Sequence, residues 1–205
     1  KALERAGVDP TWILQLNESL ALLHKTETSV NRQLERLGKQ HFMAAWVAQA
    51  PGLGLPGFCR IIAVTGSFDT FPTVSKVWKY LGMHVTQGHA PRREKGVKFV
   101  KTSDGVEGTA YSPQGRVVCH QIGESIVKLN RGPYREAYDR KKAEYLARER
   151  SGASECPFGQ VHKDRGGTVS KCGDGHAHSA AMRYAVKCLV RDMWIEWKLQ
   201  RPSTL

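Results

Sequence analysis

The feature that most constrains the fold of this chain is a sustained helical pattern between positions 10 and 49. Asp9 suits the N-cap of such a helix and Pro10 suits its first position. The apolar members recur at alternating steps of three and four residues, with Glu27 in the one missing place: Ile13, Leu16, Leu20, Leu23, Val30, Leu34 and Leu37. This heptad seam predicts a coiled coil or, alternatively, an amphipathic helix packed on its own domain. A break at Gly38 would instead give a hairpin of two helices.

The remaining sequence predicts a mainly α fold in which glycine-rich segments separate the helices. Helical spacing of apolar residues marks positions 55–64, 74–81, 116–129, 133–150 and 177–199. Positions 82–115 have few large apolar residues, so we expect an exposed loop or a β-hairpin there rather than part of the core. The predicted units are a helical connector at 1–49, a helix–hairpin–helix domain at 50–150, a glycine-rich loop at 151–175 and a C-terminal helix at 176–205 that packs on the second unit.

Charge decides which partners the chain suits. Its 205 residues include 31 Lys and Arg against 19 Asp and Glu, for a formal net charge of +12. Charge of this size favours a polyanion, nucleic acid above all, although it can also serve solubility alone. No apolar run reaches the roughly 18–20 residues of a membrane span, so no membrane partner is expected. Five scattered cysteines indicate reduced thiols in an intracellular protein.

The stretch Pro51-Gly52-Leu53-Gly54 is the first specific binding motif. Glycines let the backbone turn sharply between two helices, and the N–H groups of Leu53, Gly54 and Leu55 would then be free at the start of the next helix. Such N–H groups can hold a phosphate oxygen. The pattern is typical of a helix–hairpin–helix that binds DNA without reading its sequence, and Gly52, Leu53 and Gly54 are the predicted contacts. The alternative is a purely structural corner between two helices.

A run of basic residues follows the hairpin and is interrupted by a single acidic residue, Glu94. Its members are Lys76, Lys79, Arg92, Arg93, Lys95, Lys98 and Lys101. Solvated protein faces usually alternate the sign of their charges, and this segment does not. Each cation that meets a phosphate releases condensed counterions and adds sequence-independent affinity. We therefore predict nucleic-acid contacts along this segment.

Thiols and imidazoles are concentrated in the glycine-rich segment near the C-terminus. They are Cys156, His162, Cys172, His176 and His178. Zinc takes such ligands and could order a loop that has no core of its own. The spacing lacks a knuckle of two cysteines separated by two residues, which favours a flexible loop without metal and leaves zinc as the alternative.

Hydroxyl groups that could attack a phosphodiester lie in or beside the basic segment. Ser103 and Ser112 are the candidate nucleophiles, and Tyr111 lies next to Ser112. Acidic residues are dispersed along the chain and do not form the cluster that two-metal phosphoryl transfer needs. We therefore expect that this chain alone is not a complete metal-dependent nuclease.

Several motifs, taken in order, resemble a family of insertion-sequence transposases. The matching stretches are 50–56 (APGLGLP), 61–71 (IIAVTGSFDTF), 77–82 (VWKYLG), 133–141 (PYREAYDRK) and the block 175–197. Together they cover roughly positions 10 to 198. The chain resembles the C-terminal domain of the serine-dependent recombinases related to the pilin-gene invertase. In that family an acidic RuvC-like domain accompanies a helix–hairpin–helix domain, and a bridge RNA guides the enzyme.

The resemblance implies DNA and a structured guide RNA as partners, and a homo-oligomer in which the heptad seam serves as a coiled-coil connector. It implies Mg²⁺ only through a RuvC-like domain upstream of this chain, which begins at Lys1 without a methionine. It also implies a bacterial, nucleoid-associated protein of the cytoplasm. The chain departs from the family where its nucleophilic serine would follow Gly82, because positions 89–93 read HAPRR. The insertion at 151–175 has no counterpart in the family.

These observations leave three hypotheses for function. The preferred one is a DNA-binding and recombinase domain that cleaves and rejoins strands through a hydroxyl, together with the missing RuvC-like domain. The second is a nucleic-acid-binding module of the same ancestry without catalysis. The third is a helical protein–protein adaptor that uses the coiled coil, its charge serving solubility.

Overall fold

The computed structural model describes residues 10–85, 91, 100–102, 105–107, 111–150, 162–163, 169–170 and 174–201. Within these ranges the chain is mainly helical, which confirms the predicted fold class. The α-helices, in chain order, are α1 (Pro10–Lys39), α2 (Ala44–Gln49), α3 (Gly54–Thr65), α4 (Val74–Tyr80), α5 (Pro113–Leu129), α6 (Pro133–Arg150) and α7 (Asp174–Gln200). A short 3₁₀ turn at Phe68–Thr70 lies between α3 and α4.

The long helical pattern at the start of the chain forms two helices. α1 has 30 residues and ends at Lys39, and a turn separates it from α2. α1 thus ends one residue after Gly38, where the alternative placed a break. Gly38 itself is buried, and a Cβ there would lie 3.1 Å from the Cys59 sulfur. Arg60 on α3 also donates a 2.7 Å hydrogen bond to the Asn31 side chain. The C-terminal part of α1 therefore packs on α3. The predicted N-cap Asp9 lies outside the described residues.

The N-terminal two-thirds of α1 leaves its heptad seam uncovered in the single chain. Leu16 and Leu20 are each 46% exposed, and Leu23 is 65% exposed. The apolar side chains of Trp12 and Leu22, which lie outside the seam, are also exposed. Because nearly every side chain from position 11 to 30 is exposed, this part of the helix does not pack on the described core.

Helix α7 runs through the centre of the core and packs against α4, α5 and α6. Every fourth residue along it is 0% exposed: Ala181, Ala185, Leu189 and Met193. This spacing is the buried stripe of an amphipathic helix. The indole N–H of Trp78 on α4 donates to the Lys187 carbonyl, so this polar group is satisfied inside the packing. The helix predicted at 177–199 is confirmed.

The core begins before the hairpin. Met43 and Val47 are buried in the same cluster as Phe58 and Ile61 of α3. The first described residues of the core thus precede position 50, where the sequence analysis divided the connector from the helix–hairpin–helix domain. α2 and α3 consequently form one packed pair with the hairpin between them.

Positions 82–115 differ in part from the predicted exposed segment. Two short strands, β1 (Val100–Thr102) and β2 (Gly105–Glu107), pair antiparallel as a β-hairpin. Met83 and Tyr111, however, are buried, and a Cβ on Gly82 would lie 2.7 Å from the Tyr111 ring. Both ends of the segment are therefore part of the core, because the chain must return beside α4 to begin α5.

The predicted loop at 151–175 lies mostly outside the described residues. Two strands of two residues each, β3 (His162–Lys163) and β4 (Val169–Ser170), pair antiparallel within it. In the described part of the chain, no helix combines the length and the apolar character needed to cross a membrane.

Candidate nucleic-acid interface

The hairpin between α2 and α3 has the backbone geometry that its glycines predict. Gly52 has φ +87° and Gly54 has φ +61°, values that side-chain-bearing residues rarely adopt. The turn closes when the Leu53 N–H donates to the Ala50 carbonyl at 3.3 Å. The two glycines therefore reverse the chain within a few residues, and α3 begins directly at Gly54.

The hairpin packs against α5 and against the turn between α5 and α6. A Cβ on Gly52 would lie 2.7 Å from Cγ1 and 3.0 Å from Cα of Ile126, so α5 approaches the turn closely. On the other side, a Cβ on Gly132 would lie 2.8 Å from the Pro51 ring. The turn between α5 and α6 thus packs on the proline, and Arg131 in that turn is exposed. These contacts fix the direction in which α3 presents its first turn.

One part of the predicted phosphate site is wrong. Leu53 is buried, at 5% exposed, and its N–H is used within the turn, so this residue offers no free donor. Gly54 and Leu55 belong to the first turn of α3, whose N–H groups have no partners within the helix. Leu53, as N-cap, supplies no side-chain cap to them. The candidate site is therefore narrower than predicted and centres on Gly54 and Leu55.

The predicted basic residues are described only in part. Lys76 and Lys79 are exposed on α4, separated by about one helical turn. Lys101 lies in β1, where only the backbone is described. Arg92, Arg93, Lys95 and Lys98 lie outside the described residues. Of the seven predicted cations, two therefore have side chains that the structure describes, and both are exposed.

Ser112 is not available as a nucleophile in this structure. Its side chain is 3% exposed, and its hydroxyl oxygen accepts a 3.0 Å hydrogen bond from the Gly115 N–H as the N-cap of α5. Its own N–H donates to the Tyr80 carbonyl. The residue therefore starts a helix and ties it to α4, which corrects the catalytic prediction for it. Ser103, the other candidate, lies outside the described residues.

The structure describes the side chains of only some of the predicted zinc ligands. Cys156 and Cys172 lie outside the described residues, and His162 is described only by the backbone of β3. His176 and His178 lie in the first turns of α7, and Nδ1 of His178 is 2.7 Å from the Tyr138 hydroxyl. Among the described side chains, no three His, Cys, Asp or Glu residues come together as metal ligands. The described part of the chain therefore brings no metal site together.

A cluster of basic residues that was not predicted from the sequence lies between α4, α5 and α7. Arg183 and Lys187 lie on α7, Arg116 lies in the first turn of α5, and His84 follows α4. Burial lowers the pKa of Arg183, and the nearby charge of Arg116 lowers it further. The spacing of Arg183, Lys187 and Arg191 at every fourth residue was the signal that could have found them.

Comparisons of the chain with protein-family models, with curated proteins and with solved structures found no match.

Proposed function

We propose that this chain is the nucleic-acid-binding domain of a transposase-type recombinase, and that its hairpin contacts backbone phosphate. The observation that carries the proposal is the uncapped first turn of α3, which begins at Gly54, the second of two glycines of positive φ. Unpaired N–H groups and the positive end of the helix dipole both favour an anion at this place.

The charge of the chain supports the same partner. The net charge of +12 disfavours a polycation and favours a polyanion, which would be drawn toward the protein over a distance. Lys76, Lys79 and Arg131 are exposed cations on the described surface. Contacts of this kind are made to phosphate and sugar, so they position a nucleic acid without reading its bases.

Strand cleavage and rejoining are the less supported part of the proposal. The hydroxyl of Ser112 caps α5, and the carboxylates that the resemblance implies would belong to a domain upstream. A binding module without its own nucleophile therefore accounts for the described residues as well as a recombinase domain does. The binding module and the recombinase domain would differ in whether they cleave DNA, and the hairpin would bind phosphate in the same way in both.

Replacing Gly54 by aspartate is expected to weaken binding to duplex DNA about tenfold more than replacing it by asparagine. Both residues tolerate a positive φ better than most and have nearly the same size. Only aspartate places a negative charge beside the phosphate, at a cost of about 1.4 kcal/mol for a partly screened contact. Fluorescence anisotropy with one labelled duplex measures both variants. Equal affinities for the two variants would remove the hairpin from the interface.

The exposed seam of α1 favours a second role, self-association through a coiled coil. A helix of 30 residues is about 45 Å long, and its exposed leucines would be buried against a second copy of the same helix. Such burial is favourable by about 25 cal/mol per Å² of apolar surface. Glu27 interrupts the seam and would disfavour other registers. We therefore propose a homo-oligomer, with a heterologous helical partner as the alternative.

Leu20→Ala is expected to weaken this self-association about thirtyfold. Truncating the side chain loses about 1 kcal/mol of apolar burial in each of two copies. Leu14→Ala is the matched control, because Leu14 is 62% exposed and lies outside the seam. Sedimentation velocity over a range of concentrations measures both variants. A monomer at all concentrations, or equal effects of the two variants, would contradict the coiled-coil dimer.

A further inference from the structure

A cavity of about 230 Å³ lies between the beginning of α5 and the N-terminal half of α7. Its polar lining comes from Arg116 and His120 of α5 and from Ser179 and Arg183 of α7, and Met83 and Met182 supply apolar surface. The two arginines thus reach the same cavity from two different helices, as they would around a shared ligand.

The charges around this cavity are nearly all positive. Among the ion pairs of the described residues, none joins Arg116, Arg183 or Lys187 to a carboxylate. Lys187 instead lies over the Trp78 ring, 4.3 Å from its centroid. Among the described carboxylates, that of Glu124 is 3.5 Å from His120, a lining residue, and also pairs with Lys128. The Arg116 guanidinium donates a 2.6 Å hydrogen bond to the Pro91 carbonyl, which is a neutral acceptor. An anion in the cavity would therefore meet two arginines whose charge no described carboxylate neutralises.

Holding these cations together has a cost in the free protein. Burial lowers the pKa of Arg183, and Arg116 lowers it further. Burial also lowers the pKa of Lys187, with the charge of Arg183 adding to the effect. Beside them, Nδ1 of His84 is buried without a hydrogen-bond partner among the described residues. Unpaired buried polar groups and mutually repelling cations are uncommon in a region whose only task is packing.

We propose that this cavity binds a phosphate group, with Arg116 and Arg183 as its cationic ligands. The arginine fork matches the oxygens of a phosphate, and partial burial strengthens the interaction because little water screens it. Binding would neutralise the repulsion that the free protein carries. This inference goes beyond the proposed function, since it concerns a recessed site apart from the hairpin and does not require a duplex.

The size of the cavity limits how much of a phosphorylated ligand can enter it. Pockets that enclose whole drug-sized molecules occupy about 300–1,000 Å³, and this one is smaller. It suits a phosphate with a few attached atoms, while the remainder of the ligand stays outside. The end of a nucleic-acid strand and a free phosphorylated small molecule both offer such a group.

Arg183→Gln tests the site, with pyrophosphate as the probe and isothermal titration of the full chain at constant ionic strength. We expect the variant to bind pyrophosphate at least about tenfold more weakly than the unmodified chain, because a charged hydrogen-bond donor is lost. Arg32→Gln is the matched control, since Arg32 is exposed on α1 and far along the chain from the cavity. It removes the same charge and should leave the affinity unchanged.

Thermal unfolding of the ligand-free variants separates binding from folding. If Arg183 serves a phosphate site, Arg183→Gln relieves repulsion and should unfold at the same or a higher temperature than the unmodified chain. A clear loss of stability would assign Arg183 a structural role and overturn the proposal. Equal pyrophosphate affinity in Arg183→Gln and Arg32→Gln, or no binding beyond that of chloride, would also overturn it.

A second titration identifies the source of the phosphate. A short single strand with a 5′-phosphate is compared with the same strand carrying a 5′-hydroxyl. Tighter binding of the phosphorylated strand, lost in Arg183→Gln, supports the site and assigns it to a strand end. Equal binding of both strands, with pyrophosphate binding retained, supports the site and assigns it to a free phosphorylated molecule.

Discussion

Gly52→Ala is expected to destabilise the folded chain by about 3 kcal/mol. About 1 kcal/mol or more comes from placing a side chain at φ +87°. The rest comes from the new Cβ, which would lie 2.7 Å from Cγ1 and 3.0 Å from Cα of Ile126. The second of these atoms is backbone, so α5 itself must shift. Denaturant unfolding monitored by circular dichroism measures the change in the free energy of unfolding.

Gly54→Ala is the matched control for this prediction. Gly54 also has a positive φ, of +61°, but the nearest atom to a new Cβ there is Cδ of Pro56 at 3.8 Å, an ordinary contact. We therefore expect it to lose only about 1 kcal/mol, the conformational part of the effect. The difference between the two variants isolates the contact with α5. If both variants lose the same free energy, the hairpin is not anchored on Ile126 as described.

Much of the helical framework could be predicted from the sequence because periodicity and stop signals agree in it. The pattern at 133–150 became α6 with the same limits. The pattern at 55–64 became α3, which ends where the N–H of Gly66 donates to the Ile62 carbonyl. Glycine with positive φ ends a helix for a local reason, so neighbouring residues alone reveal it.

The packing around Gly38 and the role of Ser112 could not be predicted in the same way. Gly38 resembles a helix breaker in the sequence, but it is buried within the helix and α3 packs closely on it, so that a Cβ there would lie 3.1 Å from the Cys59 sulfur and from Cδ2 of Leu55. Ser112 resembles a loop serine until α4 is brought beside it and the residue becomes the cap of α5. Both outcomes depend on contacts between segments that are distant in the sequence, and local patterns do not report such contacts.

The two candidate sites also differ in how far they could be predicted from the sequence. The turn that presents Gly54 could be predicted because its glycines are adjacent in the sequence. The cavity of Arg116 and Arg183 could not, because 67 positions separate the two residues and only the packing of α5 on α7 brings them together. A count of charges therefore located the exposed lysines of α4 and missed the partly buried arginines.

Binding of duplex DNA is expected to weaken roughly 500-fold when the salt concentration rises from 50 to 200 mM. Each phosphate contact releases counterions, and the logarithm of the affinity falls with the logarithm of salt by about 0.9 for each contact. The hairpin, Lys76 and Lys79, together with some of the cations between positions 92 and 101, would supply about five contacts, giving a slope near −4.5. A helical adaptor that is basic only for solubility would show no such slope. Because these contacts go to phosphate, two unrelated sequences of equal length should give the same slope.

The most direct test of a phosphate-contacting nucleic-acid domain is this salt titration on the unmodified chain. Fluorescence anisotropy with two labelled duplexes of unrelated sequence gives the Kd of each between 50 and 200 mM salt. We predict measurable binding at 50 mM salt and a steep decline of affinity with salt that is common to both duplexes. Absence of binding at 50 mM salt, or a Kd that does not change with salt, would contradict this prediction.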